Sequence, residues 1–423
     1  MICALAGGQT FRDDLSTLRG AGTPASTRHL ASVSMRRQAI HRVSAEQVVA
    51  FRVAAHNLHE RLPEDGVVEA AAVCGVQDTP PGNAGVALAA RVDGFTPAAL
   101  EDALLDDRSL LRFLGPRGAA YIVPRQDATV FGPGALAADE ESLREQLSGS
   151  WPPIEAAGWT AREALSMVLG LLAAVVADGE SRTKGQLSEA LHGRLPSDLE
   201  PWCEVCDVHH VPDQLLRLAG TAGVFCYGWP QGSRQTLMGT DIWLGGPLGG
   251  DVAPARTELV RRFVHAYGPV TPVHFAAWTG IGVAEARQRF LELGFGLAEA
   301  KLDGAAAWLL ADDAEMLDDP PTASGARLLP AGDPFLAQRD RATLLPDKTA
   351  QRAVWRPVGA PGLVLVTGHP VGTWRARGAG GRLDVTIEPF AKLNDRQRTA
   401  IEQEAAVLAP FRGREDVAIT FTD

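Results

Sequence analysis

Three short stretches of the chain carry side chains able to do chemistry. VCGVQDTPPG, residues 73–82, sets Gln77 and Asp78 between an apolar run and a turn. Asp78, Pro80, Pro81 and Gly82 already supply that turn with a side-chain-to-backbone hydrogen bond, fixed φ angles and a free backbone. Gln77 is left over, and its amide either bonds the turn backbone or is there for a ligand. WCEVCDVHH, residues 202–210, holds Cys203, Cys206, His209 and His210, all acceptable to zinc. A closed tetrahedral site ordinarily uses two knuckles separated by a longer loop, and adjacent histidines do not easily turn to one ion. The expectation is therefore a buried cysteine pair and a histidine pair serving packing, with no metal and no cofactor. TWRARGAGGR, residues 373–382, offers Arg375, Arg377 and Arg382 beside a glycine tip narrow enough to enter a groove. On a strand Arg375 and Arg377 share a face, a small basic patch suited to DNA. The plain alternative is a strand face kept soluble by arginine.

Other chemistry is missing from the sequence. It has no GxxxxGK[ST], GxSxG or HExxH, and no GxGxxG after a strand. Paired acids such as Asp106-Asp107, Asp312-Asp313 and Asp318-Asp319 read as solvated turn residues.

The elements that must position these residues come from a chain of 423 residues, 46% hydrophobic, with a net charge of -11. That length suits about two to four units. The charge argues against an all-over basic surface, though not against a local groove. Five dispersed cysteines, an odd number, point to a reducing, cytoplasmic setting. Residues 1–34 lack a secretory pattern and read as a leader or an over-called start, with Met35 as an alternative initiator. The longest apolar run, residues 164–177, falls short of the roughly 20 residues that span a bilayer and reads as a buried helix.

Helices, a turn, another helix and a hairpin recur three times. In the clearest copy ELVRRFVHAYG is followed by Thr271 and Pro272 as cap and first residue of a second helix ending at Gly280. VAEARQRFLELG and a hairpin around Asp303-Gly304 complete that unit. A second copy runs through residues 164–177, TKGQLSEALHG and VPDQLLRLAGTAG to a hairpin around Gly232-Ser233. An N-terminal copy starts at a Ser44 to Gln47 capping box and ends in a hairpin around residues 115–118. Beyond residue 327 alternating strands are followed by a helix capped at Asn394 or Asp395 and a last short strand. The expected class is α+β, three tandem winged-helix units (residues 35–150, 151–250 and 251–326) and a β-rich C-terminal domain with one covering helix (327–423).

GVQDTPPGNAGVALAAR, RRFVHAYGPVTPVHFAAW, and RLLPAGDPFLAQRDR with GLVLVTGHPVGTWRAR complete the picture. Through them the chain resembles the AlkZ and YcaQ type bacterial DNA glycosylases over nearly all of residues 35–423. The resemblance implies damaged double-stranded DNA as partner, with no membrane and no protein partner. It also implies excision of alkylated bases, including bulky N7 adducts and interstrand crosslinks, with a link to self-resistance against genotoxins. The family's catalytic motif is two polar residues flanking an apolar one. In the register Gly75-Val76-Gln77 a glycine takes the first polar place; in Gln77-Asp78-Thr79 a charge takes the apolar place. A cationic alkylpurine leaves readily, so the protein must place water and stabilise an oxocarbenium-like sugar, which a neutral amide can do without a general base. By that resemblance Gln77 orients the water and Asp78 adds negative charge near the developing cation. The other reading is a non-catalytic winged-helix regulator or lesion sensor.

Overall fold

The computed structural model describes residues 41–302 and 304–422. The expected leader, Met35, Cys3 and the turn residue Asp303 therefore lie outside the described residues. After strand β1 (His41–Val43), helix α1 (Ala45–Ala55) starts at the expected capping box, Ser44 and Gln47 each accepting from the other's backbone N–H. Val48, Val49, Phe51, Arg52 and Val53 bury α1 around most of its circumference, which places it between other elements. Next come α2 (Val67–Ala72), β2 (Val76–Gln77), α3 (Asn83–Ala89) and α4 (Pro97–Glu101). The hairpin of β3 (Leu110–Leu114) and β4 (Ala120–Pro124) follows, and β2 adds to it to give the order β2-β4-β3.

The apolar run of residues 164–177 is a core helix, α5 (Ala161–Val176), burying Ala164, Leu165, Val168, Leu172 and Val175 at helical spacing. Among the described residues no single helix is long and apolar enough to cross a membrane. α6 (Lys184–Leu191), capped by Thr183, leads to the small strands β5 (Trp202–Cys203) and β6 (Val208–His209). α7 (Asp213–Thr221) and the hairpin β7 (Phe225–Tyr227) and β8 (Leu237–Gly239) complete this stretch. That hairpin's ladder is short because Gly228 and Pro230 interrupt the first strand.

In α8 (Val252–Tyr267), α9 (Pro272–Thr279) and α10 (Val283–Leu293), the Thr271 cap and the left-handed Gly280 stop stand where the sequence puts them. Phe263 packs on Tyr267, Phe275 and Trp278 with ring centroids 5.1 to 5.3 Å apart. β9 (Leu297–Leu302) and β10 (Ala305–Leu310) form the hairpin, and β1 joins β9 in parallel. That addition is invisible in sequence, because three residues are too few to show a period.

The C-terminal sheet has the order β11-β12-β13-β14-β15. Its strands are β11 (Ala326–Leu329), β12 (Gly362–Val366), β13 (His369–Ala379), β14 (Arg382–Pro389) and β15 (Asp416–Phe421). α11 (Asp395–Ala405), capped by Asn394, crosses over so that β15 runs parallel to β14. β11 falls in a segment that reads as turn-rich: all four of its residues are buried, so no alternation marks it. The fold is thus mixed α+β with a five-stranded C-terminal sheet. Successive units share cores: one cluster runs from Cys74 to Leu310, and another joins Val49 and Val53 of α1 to Leu329, Phe335 and Leu363.

Candidate active site

β2 is two residues long, and the strand period sends its side chains to opposite sides. Val76 enters the core, whereas Gln77, opposite Tyr121 on β4, is half-buried. No described residue hydrogen-bonds the Gln77 amide, in contrast to its neighbours. The Asp78 carboxylate accepts from the Gly82 N–H at 2.7 Å and the Ala84 N–H at 3.2 Å through one oxygen. Its other oxygen lies 2.8 Å from an Arg112 nitrogen, with 6% of the Asp78 side chain exposed. Asp78 therefore closes the turn, starts α3 and pairs with β3. Arg112 lies over the Tyr227 ring at 4.4 Å. Asn83 is engaged too, donating to the Ala331 carbonyl and accepting from Arg412, both at 2.7 Å. Burial lowers the Arg412 pKa, and the Asp78 charge works against that.

Two glycines decide how this turn is presented. Gly75 has a φ of +69°, and a Cβ there would come within 3.0 Å of Tyr121 and 3.2 Å of Val123. A side chain at 75 would enter the core, so the register Gly75-Val76-Gln77 does not offer two polar groups to one site. Gln77-Asp78-Thr79 does place Gln77 next to an exposed Thr79. Gly332 has a φ of +80°, and a Cβ there would lie 2.8 Å from the Thr79 carbonyl oxygen. Glycine lets the LPAGDP loop rest against the turn.

The rest of that loop is bolted to the first unit. Arg91 donates to both oxygens of Asp333 at 2.8 and 2.9 Å, with both side chains buried. Arg52 reaches both oxygens of Asp340, at 2.8 and 3.0 Å, and Gln338 at 2.7 Å. The sequence marks GVQDTPPGNAG and RLLPAGDPFLAQRDR are thus two halves of one contact.

On Gln77's side of the sheet, burial pushes Tyr121 up to about 12, opposed by the charges of Arg117 and Arg339. Burial, then the neighbouring Arg117 charge, lowers Arg339 from the ordinary arginine value. Neither guanidinium has an ion-pair partner among the described residues. Sequence reading missed both, together with Arg112, Asn83 and Arg412. The signal for Arg339 was the RLLPAGDPFLAQRDR stretch itself, quoted but given no role.

The arginines of the C-terminal hairpin are placed differently from expectation. Arg375 and Arg377 do share a face, but Asp384 lies directly opposite Arg377, and Asp416 opposite Arg382. Arg382 donates to Asp384 at 2.8 Å, and Arg375 to the Gly359 carbonyl at 2.8 Å. The expected basic patch is a mixed-charge face, because β14 and β15 interleave acids with the arginines.

The expected buried pair of Cys203 and Cys206 is also corrected: Cys203 is half-exposed and Cys206 exposed. Cys74 and Cys226 are the buried thiols, each pushed up to about 12 by burial. The Cys206 backbone N–H holds Cys203 down to about 7. His209 instead faces the Glu200 carbonyl at 2.8 Å.

Strings of short helices and hairpins ending in a five-stranded sheet, with an amide-bearing turn braced between them, define a mixed α+β protein. The chain belongs to the AlkZ-like DNA glycosylase family, whose sequence profile it matches over residues 70–411. An interstrand DNA cross-link repair glycosylase of Streptomyces sahachiroi is 27% identical over 208 residues, which cover 47% of this chain and 54% of that protein. The chain thus aligns with about half the length of this relative. The solved structure of Streptomyces sahachiroi DNA glycosylase AlkZ matches with a TM-score of 0.70 at 21% identity, covering 90% of this chain and all of that one. At that identity the likeness is one of fold.

Proposed function

We propose that this protein is a monofunctional DNA glycosylase that hydrolyses the N-glycosidic bond of alkylated purines, bulky N7 adducts or crosslinks among them, with Gln77 orienting the water. The observation that carries the reading is Gln77 itself. Its amide is without a described partner in a turn where Asp78, Asn83 and Arg112 are all engaged. An amide held on a braced strand end can donate to and accept from a water beside the anomeric carbon. The purine leaves with its cationic charge neutralised, so no general base is required.

Asp78 is a positioning residue in this reading. Its charge faces Arg112 and it caps α3, so it fixes Gln77 more than it stabilises the sugar cation. Arg117 and Arg339, cations without described counter-ions whose charges act on Tyr121 opposite Gln77, suit the phosphates flanking a lesion. The three helix-and-hairpin units, divided near residues 150, 250 and 326, serve as winged helices cradling the duplex. Arg375, Arg377 and Arg382 add phosphate contacts weakened by Asp384.

The test is Gln77→Ala assayed on duplex DNA carrying 7-methylguanine or a bulky N7 adduct. Loss of a transition-state hydrogen-bonding group of this kind costs about 100- to 1,000-fold in rate, with duplex binding retained. Unchanged excision by the variant removes Gln77 from the chemistry. Salt-dependent duplex binding with no base release by the wild-type protein identifies a lesion sensor instead.

A further inference from the structure

The connection between α6 and α7 is hard to account for by packing. Its ordered part is the two-residue ladder Trp202↔His209 and Cys203↔Val208, far below what holds a hairpin in water. Its apolar side chains face outward: Trp202 is 52%, Val205 95% and Val208 48% exposed. Yet the turn between the strands folds Cys206 back toward Cys203, with Asp207 at a φ of +56°, and His210 follows directly on β6 beside them.

The sulfurs of Cys203 and Cys206 and a ring nitrogen of His210 all lie within 4.8 Å of one another. Around a tetrahedral zinc, with Zn–S near 2.3 Å and Zn–N near 2.0 Å, the corresponding edges are about 3.5–3.8 Å. At most about 1.3 Å of adjustment in any one edge closes the set. The His210 ring is already oriented, its Nδ1 facing the Val211 carbonyl at 2.7 Å while Nε2 is buried without a hydrogen-bond partner among the described residues. A ring fixed through one nitrogen, with the other desolvated and free, is how a metal-bound imidazole is held.

We propose that Cys203, Cys206 and His210 bind a zinc ion that fastens this connector to the start of α7, leaving the fourth position to water. Two thiolates and an imidazole are a soft set that favours zinc over magnesium or calcium. The objection that adjacent histidines cannot both reach one ion does not arise. His209 is committed to the Glu200 carbonyl and packs edge-on to Trp202. The ion would sit apart from the Gln77 turn, since the cysteines and His210 line a cleft of about 960 Å³ whose lining does not include Gln77.

The experiment uses the full chain, reduced and stripped of metal, titrated with cobalt(II) and zinc. The expected result is one cobalt per chain with a thiolate-to-cobalt charge-transfer band, displaced by zinc. Zinc should also shield Cys203 and Cys206, mapped by mass spectrometry, from alkylation. C203S, C206S and H210N should each weaken binding at least about tenfold, and H209N and C226S should leave it unchanged. Alkylation shielding in the wild-type chain keeps the test decisive if a cysteine variant misfolds. A fully reduced chain that binds no cobalt and alkylates equally with and without zinc overturns the site. Equal loss in H209N and H210N overturns the ligand assignment.

Discussion

The Arg91–Asp333 pair joins the first unit to the loop that supports the Gln77 turn, and its removal has a calculable cost. Both residues are 1% exposed. Arg91 also donates to the Ala87 carbonyl at 2.7 Å, and Asp333 also accepts from the Phe335 N–H at 2.9 Å. Asp333→Ala strands a buried guanidinium, which costs about 3–5 kcal/mol, and frees the Phe335 N–H. Arg91→Met strands the carboxylate at a similar cost. In Arg91→Met/Asp333→Ala both charges go, and what remains is mainly the Phe335 N–H and Ala87 carbonyl without partners, about 1–3 kcal/mol. The coupling energy of the cycle, two single losses of about 4 kcal/mol less a double loss of about 2, is therefore on the order of 6 kcal/mol. Urea titration followed by tryptophan fluorescence gives the stabilities, and amide exchange over residues 83–91 and 326–340 reports the contact itself. Because Gly332 rests on the Thr79 carbonyl, base excision by Asp333→Ala should fall while duplex binding persists. A loss below about 1 kcal/mol for Asp333→Ala, or additive single variants, refutes the reasoning.

Asp78→Ala removes the acceptor for two N–H groups and the partner of Arg112, an expected loss of about 3 kcal/mol. Asp78→Asn keeps the acceptor and should lose less; equal losses in thermal unfolding contradict the brace. Gly75→Ala forces a residue with a Cβ into φ +69° and against Tyr121, an expected cost of about 2 kcal/mol in urea titration. Wild-type stability there would mean the turn is not fixed as described. Burial, then the charges of Arg91, His265 and Arg52, holds His56 well below the ordinary histidine value of 6.5. As the pH falls through that value the unfolded chain takes the proton first. This contribution is therefore complete above pH 6.5 and declines below it by up to about 1.4 kcal/mol per pH unit. His56→Gln should flatten the pH dependence of stability between pH 7 and about 5; an unchanged slope shows that His56 is not its source.

What the sequence disclosed follows from the range of the forces involved. Capping boxes at Ser44, Thr183 and Asn394, the Thr271-Pro272 start and the Gly280 stop are settled within one helical turn, so local reading finds them. β1 and β11 escaped it because one is three residues long and the other is buried throughout, and neither shows a period. The site divides in the same way. Gln77 was legible as an amide that its turn did not need. Its brace was not, because Arg112, Asn83's partner Arg412 and the Gly332 loop come from distant parts of the chain. The glycine at 75 shows the difference most clearly. In sequence it is a missing polar group of a motif; in three dimensions its φ and the nearness of Tyr121 favour glycine over any residue with a Cβ. Beside it, Arg112 and two backbone N–H groups are the means by which the buried Asp78 carboxylate is accommodated in this turn.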